Sequence, residues 1–305
     1  MKRELIWADW ARDELLEDVA HRQMVFTIPK RLRLYFRYER ALLGDLAGCA
    51  WRALRLWVLA SFEDEAAVPG AVGFIQTAGE LLNWHPHVHL LVSDGVFDRE
   101  GAFERFTFFD AQLIERLFRA EVLRLLMDRG LISQEVVDNL LSWRHSGFSV
   151  HADVKVADRQ AAARLGRYMI RCPVVLERMS LDEDTGEVLY RTRPSRIDHP
   201  EGPVARWDVY ELIARVLDHL PAPNQQMTRY WGFSSNVARG KRRAAARRLA
   251  AGLDPDDEIS GIDGIGVPPT IDDEPYRRRA RLSWAALIKK VYEIDPLLCP
   301  ECSPD

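Results

Sequence analysis

The spacing of apolar residues changes several times along this chain, and each change marks an element. "QMVFTI" (23–28) is a short apolar run stopped by Pro29, which predicts a strand after a helix over about 9–21. Leu42, Leu46, Trp51, Leu54 and Trp57 recur at near-helical spacing and place a long helical stretch over about 30–62. "AVGFIQT" (71–77) and "HVHLLVS" (87–93) read as paired strands, the second closed by the Asp94-Gly95 turn signal. Leu113, Leu117, Val122, Leu125 and Leu126 give an amphipathic helix over 110–129, ended by Gly130, with another over 134–142. "GFSVHADVKV" (147–156) alternates as one strand, with Phe148, Val150, Ala152, Val154 and Val156 on one face. A helix over about 158–171 stops before Pro173, and a hairpin joins "VVLERMSL" to "EVLYRT" through "DEDTGE". Helices over about 207–219, 235–251 and 281–293 complete the pattern. Hairpins with helices between them predict an α+β fold around an antiparallel sheet.

Composition narrows the classes. The 305 residues are 47% hydrophobic and 29% charged, an ordinary globular mix. No apolar run approaches the roughly 20 residues a bilayer requires, and the charged N-terminus lacks a signal peptide's apolar core. A cytoplasmic protein is expected. Cys49, Cys172, Cys299 and Cys302 are scattered, so reduced thiols are expected. The net charge of −4 hides segregation: residues 227–250 carry seven Arg or Lys and no acid, whereas 251–274 carry eight Asp or Glu and no base.

Within "LLNWHPHVHLLVSDG" (81–95), His85, His87 and His89 occupy alternate positions. A strand repeats its side-chain direction every two residues, so His87 and His89 share one face, opposite Val88 and Leu90. Paired imidazoles suit a divalent metal with open coordination positions. Pro86 cannot donate a ladder hydrogen bond, so the strand is expected to start near His87 or to be an edge there. Gln76, near the end of the preceding strand, supplies a neutral oxygen as a possible third ligand. Such a mixture favours Mg²⁺ or Mn²⁺ over a closed zinc site. His85 and His151 are the competing ligands.

"ARLGRYMIRCPVVLERM" (163–179) places Arg164 and Arg171 on the helix face that carries Tyr168, with Leu165, Met169 and Cys172 as the expected buried side. A phenolate is a nucleophile, and guanidinium groups hold phosphate oxygens bidentately. The basic run over 227–248 has Tyr230 and Trp231 available for stacking bases and Arg229, Arg239, Lys241, Arg242 and Arg243 for phosphates.

Together these features resemble the HUH endonuclease superfamily and, within it, the rolling-circle transposases called two-tyrosine transposases. The matching stretches are "GFIQTAGELLNWHPHVHLLVSDGVF", "WRHSGFSVH", "LGRYMIRCPVVLERM", "RYWGFSSNVARGKRR" and "WAALIKKVYEIDPLLCPEC", in family order across most of residues 20–302. The resemblance implies a central antiparallel sheet, His87 and His89 as ligands of Mg²⁺ or Mn²⁺, and Gln76 where relatives place a third ligand. It implies that Tyr168 attacks a phosphodiester of single-stranded DNA at insertion-sequence ends and leaves a 5′-phosphotyrosyl link. It also implies DNA contacts by Arg164, Arg167, Arg171 and the basic run. The implied organisation is an N-terminal helical region with one strand (1–65), a nuclease core (66–200), a helical basic DNA-binding region (201–252), an acidic linker (253–275) and a C-terminal helix with a Cys-x-x-Cys tail (276–305).

Two departures stand out. Arg164 occupies the place of the second tyrosine that many relatives carry four residues earlier, which implies a single nucleophile or the loss of one strand-transfer step. No cysteine precedes Cys49, so the relatives' N-terminal zinc-binding module is expected to be absent, and the copy is expected to be shortened. Two rival readings are a catalytically decayed DNA-binding remnant and a histidine-triad nucleotide hydrolase, which "HPHVHLL" formally fits. A cupin-type oxygenase would need a glutamate soon after the His-x-His pair, and the next acid is Asp94.

Overall fold

A computed structural model describes residues 2–62, 64–191 and 204–252. Its contacts divide the chain into a larger unit, Ala8–Gly240, and a smaller one to which 2–7 and 241–252 belong. Helix α1 (Lys2–Trp10) runs into a π-helical turn over Ala11–Leu15 and ends there, so the helix expected over 9–21 stops six residues early. Strand β1 (His21–Thr27) follows, then a 3₁₀ turn (Lys30–Leu32), α2 (Arg33–Tyr38) and α3 (Leu42–Ser61). The single helical stretch expected over 30–62 is therefore broken at 39–41. Strands β2 (Gly70–Ala78) and β3 (Trp84–Ser93) form a hairpin, and a second hairpin joins β4 (Gly95–Phe97) to β5 (Phe103–Arg105). Helices α4 (Ala111–Asp128) and α5 (Gln134–Ser142) match the periodic pattern closely. Asp110 caps α4 by accepting from the Leu113 N–H, and Gly130 leaves it at φ +67°.

The strand expected over 147–156 is two short pieces, β6 (Ser149–His151) and β7 (Lys155–Val156). Phe148, Val150 and Ala152 are buried as the alternation requires, but Val154 is exposed where the chain leaves the ladder. Next come α6 (Arg159–Met169), β8 (Met179–Leu181), β9 (Val188–Arg191), β10 (Val204–Trp207), α7 (Val209–Leu217), β11 (Thr228–Gly232) and α8 (Asn236–Ala250). The helix expected over about 235–251 is α8, and the basic run before it forms the strand β11. The acidic linker, the helix over 281–293 and the Cys-x-x-Cys tail lie outside the described residues.

The central sheet is antiparallel, ordered β11-β2-β3-β1-β6, with β7 also on β1, and the fold is α+β. One face holds Met24, Phe26, Ile75, Val88, Leu90 and Val150 against α3 and α4. Those helices present Leu46, Ala50, Ala53, Trp57 and Ile114, Phe118, Val122, Leu126, spaced three or four residues apart. Phe118 meets Phe26 edge-on at 5.0 Å and Phe148 at 6.0 Å. A three-stranded sheet, β10-β9-β8, closes a second core of Leu82, Val188, Tyr190, Trp207 and Leu212. Leu82 takes φ +51°, an uncommon conformation for leucine, held by burial of its side chain in that core. No helix among the described residues is long and apolar enough to cross a membrane.

Candidate metal centre and nucleophile

Register decides what surrounds the histidines. Thr27 of β1 and Gln76 of β2 lie directly across from His87, while Val25 and Phe74 lie across from His89. Directly opposed residues point to the same side of a sheet. The face turned away from α3 and α4 therefore carries Gln23, Thr27, Gln76, His85, His87 and His89. The three rings form a row, with centroids 5.1 Å apart from His85 to His87 and 5.0 Å from His87 to His89. Strand β3 begins at Trp84, so Pro86 lies inside it. This is permitted because β1 ends at Thr27, opposite His87, and only β2 accompanies β3 beyond that point. A register shift between Gln76 and Ala78 marks the same place.

Burial keeps all three imidazoles neutral at pH 7. Desolvation, with the Arg33 guanidinium and His87 nearby, lowers His85 to about 4. Desolvation beside His87 lowers His89 to about 3, and His87 is lowered mainly by burial. The His87 Nδ1–H donates to the His85 carbonyl at 2.7 Å, which leaves its Nε2 lone pair available as a ligand. Among the described residues the buried His85 Nε2 meets no hydrogen-bond partner. The His89 Nδ1 lies 3.0 Å from the Gln23 side-chain amide. If the amide N–H donates, the His89 proton sits on Nε2; with the amide turned, its oxygen accepts from Nδ1–H and Nε2 opens. Among the described residues no three His, Cys, Asp or Glu side chains converge to hold an ion. By chemistry, imidazole nitrogens and an amide oxygen such as that of Gln76 are donor types that a hexacoordinate ion retaining water accepts.

Helix α6 packs on this same face, against β1 and β3. Asp158 caps it by accepting from the Ala161 N–H at 2.7 Å. Its buried stripe is Ala162, Ala163, Gly166 and Met169, small residues that allow close approach to the sheet. Cys172, expected on that stripe, is exposed because the helix ends at Met169. The Gln76 side-chain amide donates to the Met169 carbonyl. The residue after Tyr168 is thereby joined to the strand position opposite His87. Tyr168 is 44% exposed, with the Arg171 guanidinium 6.0 Å from its ring centre. Arg164 is exposed and Arg167 half-buried.

The other candidate residues are arranged differently. His151 is exposed on β6, two strands from β3 with Val25 between it and His89. Trp231 turns to the core face and stacks on Trp51 at 6.0 Å and 6°. Arg229 lies over Gly44, where an added Cβ would be 2.7 Å from its Nη2. Arg239 is buried, donates to the Ser234 carbonyl and to Asn236, and sits over the rings of Trp10 and Tyr230. Trp231 and Arg239 are thus occupied in packing. Lys241 and Arg243 are exposed on α8, and Arg242 is half-buried. Asp94 is fully buried and receives two bonds from Arg22, at 2.8 and 3.0 Å. Gln23 was missed by sequence reasoning, although its place in the alternation of β1, two residues before Val25, is the signal that exposes it.

An antiparallel α+β domain thus sets an imidazole-bearing strand against a helix carrying tyrosine and arginine. Residues 70–242 match the Y2_Tnp family, described as "Putative transposase", and the chain belongs to that family. It is 27% identical over 241 residues to "Transposase for insertion sequence element IS801" of Pseudomonas savastanoi pv. phaseolicola, covering 74% of this chain and 57% of that protein. It is 26% identical over 265 residues to "Putative transposase y4qJ" of Sinorhizobium fredii (strain NBRC 101917 / NGR234), covering 80% of this chain and 65% of that protein. The matches therefore span less than two thirds of either relative. No solved structure matches the chain significantly.

Proposed function

We propose that this protein is the transposase of an insertion sequence and works as an HUH-type nuclease, nicking and rejoining single-stranded DNA through Tyr168. The observation that carries the reading is the contact between Gln76 and the Met169 carbonyl, which joins the tyrosine helix to β2 at the position directly across from His87. His87, His89 and Gln76 would hold Mg²⁺ or Mn²⁺, with His85 as the alternate ligand. A bound ion would supply Lewis-acid polarisation of the scissile phosphate.

In the forward step the Tyr168 oxygen forms a bond to phosphorus and the bond to the 3′ oxygen breaks. The phenol proton passes to solvent and the departing 3′ oxygen takes one up. The 5′ side stays linked to Tyr168 as a phosphodiester, so attack by a free 3′-hydroxyl restores the backbone without ATP. Arg171 and Arg167, with Arg164 one turn earlier, offer guanidinium groups to the flanking phosphates. With arginine at 164, one phenol serves each strand transfer. Insertion-sequence ends are the expected substrate.

Incubation with a single-stranded oligonucleotide carrying distinguishable labels at its 5′ and 3′ ends, together with Mn²⁺, tests this, the 3′ label reporting the adduct and the 5′ label the released fragment. An SDS-resistant adduct should map to the peptide containing Tyr168, together with a released fragment ending in a 3′-hydroxyl. Tyr168→Phe should lose the adduct completely and stay folded, since it removes one oxygen and keeps the ring. An undiminished adduct in that variant would overturn the assignment.

A further inference from the structure

We infer that Gln76 is a positioning residue: its side-chain N–H fastens the last carbonyl of the Tyr168 helix to β2, at the position paired with His87 on the histidine strand. A helix leaves its final carbonyls without partners of its own. The Met169 oxygen would ordinarily accept from the N–H four residues on, but that residue is Pro173, which has none. The Gln76 amide supplies the missing donor from the neighbouring strand. The backbone at the C-terminus of α6 is thereby fixed one residue from the nucleophile and directly across β2–β3 from His87. A glutamine has both a donor and an acceptor on one planar group. Its N–H can hold the helix while its oxygen remains available to an ion, a combination that glutamate cannot provide because it lacks the donor.

The catalytic consequence rests on Tyr168 being the nucleophile, whereas the contact itself does not. Gln76→Glu separates the two roles because it keeps the oxygen and loses the N–H. Mn²⁺ affinity, measured by titration calorimetry, should be retained. Backbone amides of residues 167–172 should exchange with deuterium about tenfold faster, the effect of one lost hydrogen bond. The rate of adduct formation at saturating oligonucleotide should fall about tenfold, with half-saturation unchanged. Gln76→Leu, close in size and without either polar atom, should show the same faster exchange in a folded protein. Wild-type exchange over 167–172 in both variants would overturn the inference, as would a loss of Mn²⁺ affinity with no change in exchange. If the exchange effect appears but wild-type protein forms no adduct on Tyr168, the positioning role stands and the proposed chemistry falls.

Discussion

The two faces of the central sheet come from the same strands and differ in every property that matters for function. On one side Met24, Phe26, Val88 and Leu90 have no solvent exposure and pack beneath α3 and α4. On the other side the alternate residues of those strands include Gln23, Thr27, His85, His87 and His89. Protonating the partly buried imidazoles is costly there, as their depressed proton affinities indicate. The apolar face accounts for stability, while the polar face keeps neutral nitrogen donors beside the helix that carries the proposed nucleophile, Tyr168. Because side chains alternate strictly, changes on one face should leave the other largely intact.

The largest effect expected on stability belongs to the apolar face. Phe26→Ala removes a ring packed on Phe118 and should lower unfolding free energy by about 3–5 kcal/mol in a urea titration, with divalent-ion affinity retained in the folded fraction. His89→Ala should do the reverse, abolishing the Mn²⁺ dependence of nicking at little cost in stability at pH 7. It should also alter acid sensitivity in a definite direction. An imidazole takes up a proton near pH 6.5 in the unfolded chain, but only near 3 at His89 and near 4 at His85 in the folded protein. Stability from these groups is thus complete above pH 6.5 and is lost as pH falls towards 4, at up to about 1.4 kcal/mol per pH unit for each. His89→Ala should make that decline shallower; an identical acid slope in the variant would break the comparison. The smallest effect is expected at Gln23, which touches His89 from the neighbouring strand. Gln23→Leu should weaken Mn²⁺ binding by about tenfold in calorimetry, the usual scale for a partner behind a ligand, with thermal stability nearly unchanged.

Much of this was legible in the sequence because period and local chemistry agreed. The hairpin β2–β3, the helices α4 and α5 and the alternating imidazoles follow from spacing and turn residues alone. Other features depend on partners distant in the chain. Strand β11 was hidden in a basic run because its place in the sheet is set by pairing with β2, over 150 residues earlier. The packing of Arg239 and Trp231 against Ser234, Asn236, Trp10 and Trp51 emerges only on folding. The buried Arg22–Asp94 pair joins residues 72 apart, and no local rule foresees it. The break at 39–41 and the early end of the first helix carry no proline or glycine signal. Gln76 was legible as a possible ligand, but its contact with the Met169 carbonyl was not.

The central claim is that an ion held by His87 and His89 lies close to the Tyr168 phenol. Replacing the tyrosines with 3-fluorotyrosine and assigning position 168 by its disappearance in Tyr168→Phe gives a direct probe. Addition of Mn²⁺ should broaden the residue-168 fluorine resonance strongly and selectively, and the broadening should vanish in the double variant His87→Ala, His89→Ala. A sharp resonance at position 168 while calorimetry reports bound Mn²⁺ would contradict the claim.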